Sequence, residues 1–290
     1  MERMIEIMNG TNKKCPNSKE NLLTIGEEFG KNADAVHKIL TNLEVFSSED
    51  RKHVIDIFKD LLAVDADPNP LAKGMSEGAE NTIKVIFDKF ELTGMSTSFG
   101  NVLKMMSNRH ELVGSFLNVK LFQILTNFVM NAMFDISSEA ISVFEEILFS
   151  DNVKVKEVVS EFLNDNHQEM MEIFMNLFDE EKYLAKREGM KILHELLLDK
   201  DYNKKFTENW LQEKEYLKFT MTSLTDDSTP IQMEAFHLML VFLKASPEKR
   251  GQKVNETLKK NKDQLMSFFE EFLKDKPDEQ EKAINLLKEL

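Results

Sequence analysis

Gly74-Met75-Ser76-Glu77-Gly78 has the spacing of a nucleophile elbow, in which a serine is pinned on a strained turn between a strand and a helix. The residues upstream are rich in Asp and Pro rather than in strand formers, and no parallel-sheet pattern stands ready to hold an Asp and a His partner. The segment is expected to be a loop that ends at the N-cap of a helix over Glu80 to Phe90. Asp65-Ala66-Asp67-Pro68-Asn69 imitates the opening of a calcium loop. Calcium would need glycine at the sixth position and a bidentate glutamate at the twelfth, where Pro70 and Ser76 stand. His110-Glu111 and His194-Glu195 could open a zinc-protease motif, but the fifth residue is Gly114 or Leu198 instead of the second histidine. His194 and His237 are expected on a helix surface or in a groove. No phosphate-binding glycine loop and no kinase signature occurs. The expectation is a protein with no catalytic residues, no metal and no cofactor.

The elements that would position any site are helices. In 290 residues, 42% hydrophobic and 30% charged, there are only 10 Gly and 6 Pro. That apolar share can bury a core, and so few turn formers disfavour sandwiches and barrels. The formal net charge of −14 repels nucleic acid and anionic lipid, so the expected partners are proteins. The single cysteine, Cys15, can form no internal disulfide, which fits a reducing compartment, cytosolic or nuclear, and a cytoplasmic location is expected. Charges at the N-terminus interrupt the apolar stretch that a signal peptide needs. The longest mainly apolar segment, 121–134, carries four polar residues and is short of the ~20 needed to span a bilayer.

Ser47-Ser48-Glu49-Asp50 reads as a capping-box start for a helix running through Leu62. Thr229-Pro230-Ile231-Gln232 combines an expected N-cap at Thr229 with proline at the next position. Between Val64 and Lys73, Pro68 and Pro70 enforce a loop. The informative feature is a repeat. An apolar, polar, apolar, apolar, polar, polar, apolar, apolar order occupies 55–62 and returns at 141–148, 190–197 and, less polar, 236–243. A degraded copy begins at Phe99. The spacings of 44, 42, 49 and 46 residues are those of armadillo and HEAT units. Glu139-Ala140, Glu188-Gly189 and Glu234-Ala235 precede three copies, and their small residues would let a neighbouring helix approach closely. An amphipathic unit cannot bury its apolar face alone. The fold is therefore expected to be all-α, an armadillo/HEAT-like right-handed α-solenoid with a concave groove, forming a single domain over 1–290. An unrelated all-α bundle is the competing reading.

Against the acidic background, Lys186, Arg187, Lys191, Lys200, Lys204, Lys205, Lys214 and Lys218 gather in the third quarter, with Lys249, Arg250, Lys253, Lys259, Lys260 and Lys262 beyond. Most would form a solvated helix face, and a few could line the groove and meet a partner's carboxylates. Trp210 is expected in the core.

The segments 134–140, Lys186-Arg187 leading into 195–199, and 231–237 resemble the calcium-binding protein 39 family, with matching order and spacing from about Met4 to about Lys274. The family consists of armadillo-like scaffolds that bind and activate Ste20-type protein kinases and pseudokinases. Its best-known assembly joins the STRAD pseudokinase and the tumour-suppressor kinase LKB. The resemblance implies a kinase-binding concave face at Phe134, Arg187, Lys191, Lys200 and Tyr202. It also implies a pocket for a Trp-Glu-Phe-like peptide tail at Lys218, Met221, Lys260 and Asn261. The family usually has arginine where Lys200 stands, and lysine lacks the bidentate fork. The expected function is thus a non-catalytic scaffold, monomeric on its own, that activates a Ste20-type kinase or STRAD-like pseudokinase, with an LKB-like kinase as a possible third member. It would contact neither nucleic acid nor membrane. The alternative is a generic α-solenoid adaptor without kinase activation.

Overall fold

The computed structural model describes residues 19–178, 181–199 and 202–290. Among them there are helices and no strands, so the nucleophile-elbow spacing has no strand to work from. The chain divides into two compact units, 1–162 and 163–290. No single described helix is long and apolar enough to cross a membrane.

The first unit contains α1 (Lys19–Lys31), α2 (Ala33–Leu40), α3 (Ser48–Ala63), α4 (Pro70–Met75), α5 (Ala79–Lys89), α6 (Ser96–Ser107), α7 (His110–Val113), α8 (Val119–Val129) and α9 (Phe134–Leu148). The repeat motifs fall on α3, α6 and α9, and these pack in succession, α3 against α6 and α6 against α9. The apolar positions of the motif are the core: Ile55, Ile57, Phe58, Leu61 and Leu62 on α3, and Ile141, Val143, Phe144, Ile147 and Leu148 on α9 are all buried. Each such side chain contributes about 1.5–3 kcal/mol. The degraded copy is no weaker in packing, since Phe99, Val102, Leu103, Met105 and Met106 are buried too.

Local starts agree with the sequence where the cap is a local interaction. Ser47 is the N-cap of α3, and its hydroxyl accepts from the Asp50 amide at 3.2 Å. The Asp/Pro loop ends at Asn69, which is wholly buried. Its Oδ1 accepts from the Ala72 amide at 3.0 Å, capping α4, while its Nδ2 donates to Leu61 O at 3.0 Å at the end of α3. One side chain thereby satisfies two helix ends.

The Gly74–Gly78 segment is not a loop. Gly74 and Met75 finish α4, and Ser76–Gly78 is a 3-10 turn leading directly into α5. Packing decides this: a Cβ on Gly74 would lie 2.3 Å from the carbonyl oxygen of Gly30, so the two glycines let α1 and α4 touch backbone to backbone. The Ser76 hydroxyl donates to the Lys73 carbonyl at 2.8 Å.

The second unit begins within α10 (Val153–Asp165) and continues through α11 (His167–Leu177), α12 (Tyr183–Leu198), α13 (Lys204–Gln212), α14 (Lys214–Ser223), α15 (Thr229–Lys244), α16 (Gln252–Lys260), α17 (Lys262–Phe272) and α18 (Pro277–Lys288). The motifs lie on α12 and α15, which pack together, and α15 packs in turn against α14 and α18. Gly189 is the close-approach residue expected, since a Cβ there would stand 3.1 Å from the Leu177 Cβ, and Ala235 is fully buried. Trp210 is fully buried and stacks on Tyr216 with ring centroids 5.0 Å apart.

Two expectations need correction here. The N-cap of α15 is Ser228, one residue before Thr229, and its side chain makes no capping bond. The Ser228 amide instead donates to Asp226 Oδ1 at 2.9 Å, which shapes the entry to the helix. Asp226 is also held by Lys186, whose side chain is 5% exposed and whose Nζ lies 2.7 Å from Asp226 Oδ2. Lys186 is therefore an internal tie, neither part of a solvated face nor a groove residue.

Candidate functional site

In the first unit, Asn131 and Met133 set the entry of α9. The Asn131 amide nitrogen donates to the Glu91 carboxylate, and its Oδ1 accepts from the Met133 amide at 2.8 Å. This clamps the 130–133 turn against the turn between α5 and α6, and Phe134 emerges as the first residue of α9. It is 69% exposed, and Met133 and Leu92 are also exposed. An open cleft of about 240 Å³ lies between the two turns, lined by Glu91, Leu92, Met133, Phe134, Asp135 and Glu139 among others. Glu139 is ion-paired with Lys104 at 2.7 Å.

In the second unit, Tyr183, Arg187, Lys191, His194 and Leu198 follow one another at intervals of 4, 4, 3 and 4 residues, so α12 presents them on one face. Tyr183 and Leu198 are exposed, and Arg187 and Lys191 are partly exposed. Glu188 lies between the cations, 3.0 Å from Arg187 Nη1 and 3.9 Å from Lys191 Nζ. His194 stacks on His237 of α15 with ring centroids 5.1 Å apart, and His237 Nδ1 is 3.4 Å from Glu234 Oε2. Burial, reinforced by the neighbouring His237 and Lys244, lowers the His194 pKa to about 4, so this ring is neutral at pH 7. Burial opposes ionisation of Glu234. The His237 hydrogen bond, with the nearby Arg187 charge, outweighs it and holds this carboxyl below its usual range.

The sequence-derived residues divide as follows. Arg187 and Lys191 stand together on α12. Lys200 lies outside the described residues. Tyr202 follows α12, half-buried, and its backbone carbonyl accepts from Asn164 Nδ2 at 2.6 Å. Lys218 is exposed and Met221 half-buried, one turn apart on α14, which packs against α16. Lys260, at the end of α16, is exposed. Asn261 turns its amide back to the Thr257 carbonyl at 2.8 Å, so its donor caps α16. Phe134, Arg187, Lys218 and Met221 are all outside the buried cores. His194 and His237 lie on the helix surface expected of them, while Tyr183, Leu198, Leu92 and Met133 were not singled out as partner-facing from the sequence. The spacing of Tyr183 and Leu198 with Arg187 was the available signal.

Among the described residues, the cluster that could offer metal ligands is Asp67, His110 and Glu111. These groups are already engaged. Glu111 accepts from Arg109 at 2.9 Å and from the Asn69 amide at 2.6 Å, Asp67 pairs with Lys154, and the two nitrogens of His110 lie near one carboxylate each.

Helix on helix at a period of 42 to 49 residues, with no strand among the described residues, defines an armadillo/HEAT-like helical scaffold. The Mo25-like family model matches residues 1–289, and the chain belongs to that family. It is 28% identical over 283 residues to the human protein named calcium-binding protein 39-like, covering 98% of this chain and 81% of that one. A Mo25-like protein of Schizosaccharomyces pombe is 30% identical over 197 residues, covering 68% of this chain and 58% of the relative. MO25-like protein 2 of Caenorhabditis elegans is 26% identical over 273 residues, covering 94% and 78%.

Proposed function

We propose that this scaffold binds a Ste20-type protein kinase or STRAD-like pseudokinase and shifts it toward its active arrangement, with residues 1–290 acting as one armadillo-like domain in the cytoplasm. The observation that carries the reading is the exposed face of α12. There Arg187 and Lys191 stand one turn apart beside the exposed Tyr183 and Leu198, a combination of cations and apolar surface suited to docking a folded partner. A second contact at Lys218 and Met221 would take a short acidic-aromatic tail: a flexible methionine moulds around a ring while a lysine meets carboxylates. Neither contact involves bond making. Activation then follows from differential affinity, because a face that binds the closed kinase better than the open one shifts the equilibrium by that difference. A preference of ~2 kcal/mol gives roughly thirtyfold activation.

The test is capture from a lysate of the source cells with the wild-type chain and with Arg187→Ala/Met221→Ala, followed by a phosphorylation assay with the purified kinase. The expected result is a Ste20-type kinase or pseudokinase, with or without an LKB-like kinase, that binds the wild type, is lost with the double variant and gains activity on addition of the wild type. Retention of the same partners by the double variant, with no kinase among them, would leave the generic adaptor.

A further inference from the structure

The cleft at the start of α9 differs in chemistry from everything on α12. Glu91, Asp135 and Glu139 contribute carboxylates to its walls, and among the described residues no Lys, Arg or His lines it. Lys104, which is not among the lining residues, compensates Glu139. Glu91 receives only a neutral amide, from Asn131, and Asp135 occupies the first turn of α9. Two acidic groups thus border a cleft whose lip consists of Leu92, Met133 and Phe134, which are 46%, 57% and 69% exposed. Apolar side chains exposed this far and gathered at one opening mark a contact surface. The walls do not need a partner for their own stability, since the Asn131 clamp already joins the two turns.

We propose that this cleft docks a segment of a partner protein that places lysine or arginine beside an aliphatic residue. The cation would sit between Asp135 and Glu91 and against the face of the Phe134 ring, where charge and ring quadrupole attract it together. The aliphatic neighbour would cover Leu92 and Met133. An acidic segment is disfavoured by both carboxylates, which gives the cleft a preference for a positively charged partner segment. The proposal deepens the kinase reading in one respect, resting on it for Phe134 as a partner-facing residue. It names the chemistry of what meets that residue.

The experiment uses the full chain and fluorescein-labelled peptides read by fluorescence polarisation. The probe is Gly-Ser-Leu-Lys-Arg-Leu-Ser-Gly, compared with versions carrying Glu-Glu for Lys-Arg or Ser for both Leu. The basic apolar peptide is expected to bind at least ~tenfold tighter than the acidic one, a difference of about 1.4 kcal/mol. Glu91→Gln/Asp135→Asn should weaken it several-fold, Glu91→Lys/Asp135→Lys should transfer the preference to the acidic peptide, and Arg187→Ala should leave it unchanged. Helical circular dichroism of each variant controls for folding. Equal binding of the three peptides, or indifference to the cleft variants with loss on Arg187→Ala, overturns the proposal. So does self-association of the chain that vanishes with the cleft variants, which would make the occupant a second copy. Capture of a kinase without any peptide preference defeats the cleft alone. Peptide preference without a kinase defeats the kinase reading of the preceding section alone.

Discussion

The two surfaces solve the same problem in opposite ways. At the start of α9, apolar side chains project into water and the Asp135 and Glu91 carboxylates face no cation in the cleft lining. On α12 and α15 the charges are answered internally, Arg187 and Lys191 by Glu188 and Lys186 by Asp226, while Glu234 is hydrogen-bonded to His237. The glutamates that precede the repeat motifs within their helices show how this arises. Glu139 reaches across to Lys104 of the preceding motif helix, over Gly100, where a Cβ would lie 2.2 Å from its carboxylate. Glu188 instead pairs with Arg187, and Glu234 with the His237 ring, each on its own helix. One position in the repeat thus provides an interhelical tie in one unit and trims the charge of an exposed face in the other. A surface with its charges already paired selects a partner by geometry, whereas a bare one selects by the sign of the charge.

The contrast is broken most severely at Lys186. Lys186→Ala leaves Asp226 without its counter-ion and should cost about 3 kcal/mol. Arg187→Ala, on the neighbouring residue, should stay within about 0.5 kcal/mol. Urea titrations followed by the fluorescence of Trp210 separate the two, and similar losses would mean that both cations are structural.

The His194 pair gives the next largest effect. Its folded pKa of about 4 lies below the unfolded value of about 6.5. Between those values the unfolded chain takes up a proton that the folded ring rejects. The contribution to stability is complete above pH 6.5 and is lost as the pH falls toward 4. With the ring only partly shielded from solvent, that loss is about 1–2 kcal/mol. Thermal melts from pH 7 to 5 should therefore fall more steeply for the wild type than for His194→Asn, and parallel slopes would contradict the assignment.

Lys104 and Glu139 sharpen the comparison from the side of the first unit. A double-mutant cycle with Lys104→Met and Glu139→Gln should yield a coupling of about 1 kcal/mol in denaturant unfolding. The equivalent cycle at Arg187 and Glu188 should give less than about 0.5 kcal/mol. The smallest change in stability belongs to Phe134→Ser, within about 0.5 kcal/mol, because the ring covers no core. A large loss of melting temperature in this variant would show that the ring is a packing residue.

Much of this architecture was legible in advance. Every apolar position of the 55–62, 141–148 and 190–197 stripes is buried, Trp210 is in the core, and Ser47 caps its helix as its spacing with Asp50 requires. These follow from helical periodicity and from contacts within one turn. The failures share a cause. Gly74 was read through a motif, and only the approach of Gly30 reveals why the residue is glycine and helical. Thr229 was preferred as a cap because nothing local discloses that Asp226 holds the Ser228 amide. Lys186 looked like one basic residue among many until Asp226, 40 residues later, was placed beside it.

That separation is instructive. Asn131 with Glu91, Lys186 with Asp226, Asn164 with Tyr202 and Lys104 with Ser142 are 40, 40, 38 and 38 residues apart, close to one repeat. Periodic burial and local hydrogen bonding, which act over a few residues, let the sequence alone determine the helices, their apolar stripes, the repeat length and hence the scaffold class. Which polar side chain meets which across that interval depends on rotamer and helix rotation within a packed core. Only the tertiary structure decided that Lys186 is buried, that His194 stacks on His237, and that Phe134 stands exposed above uncompensated carboxylates.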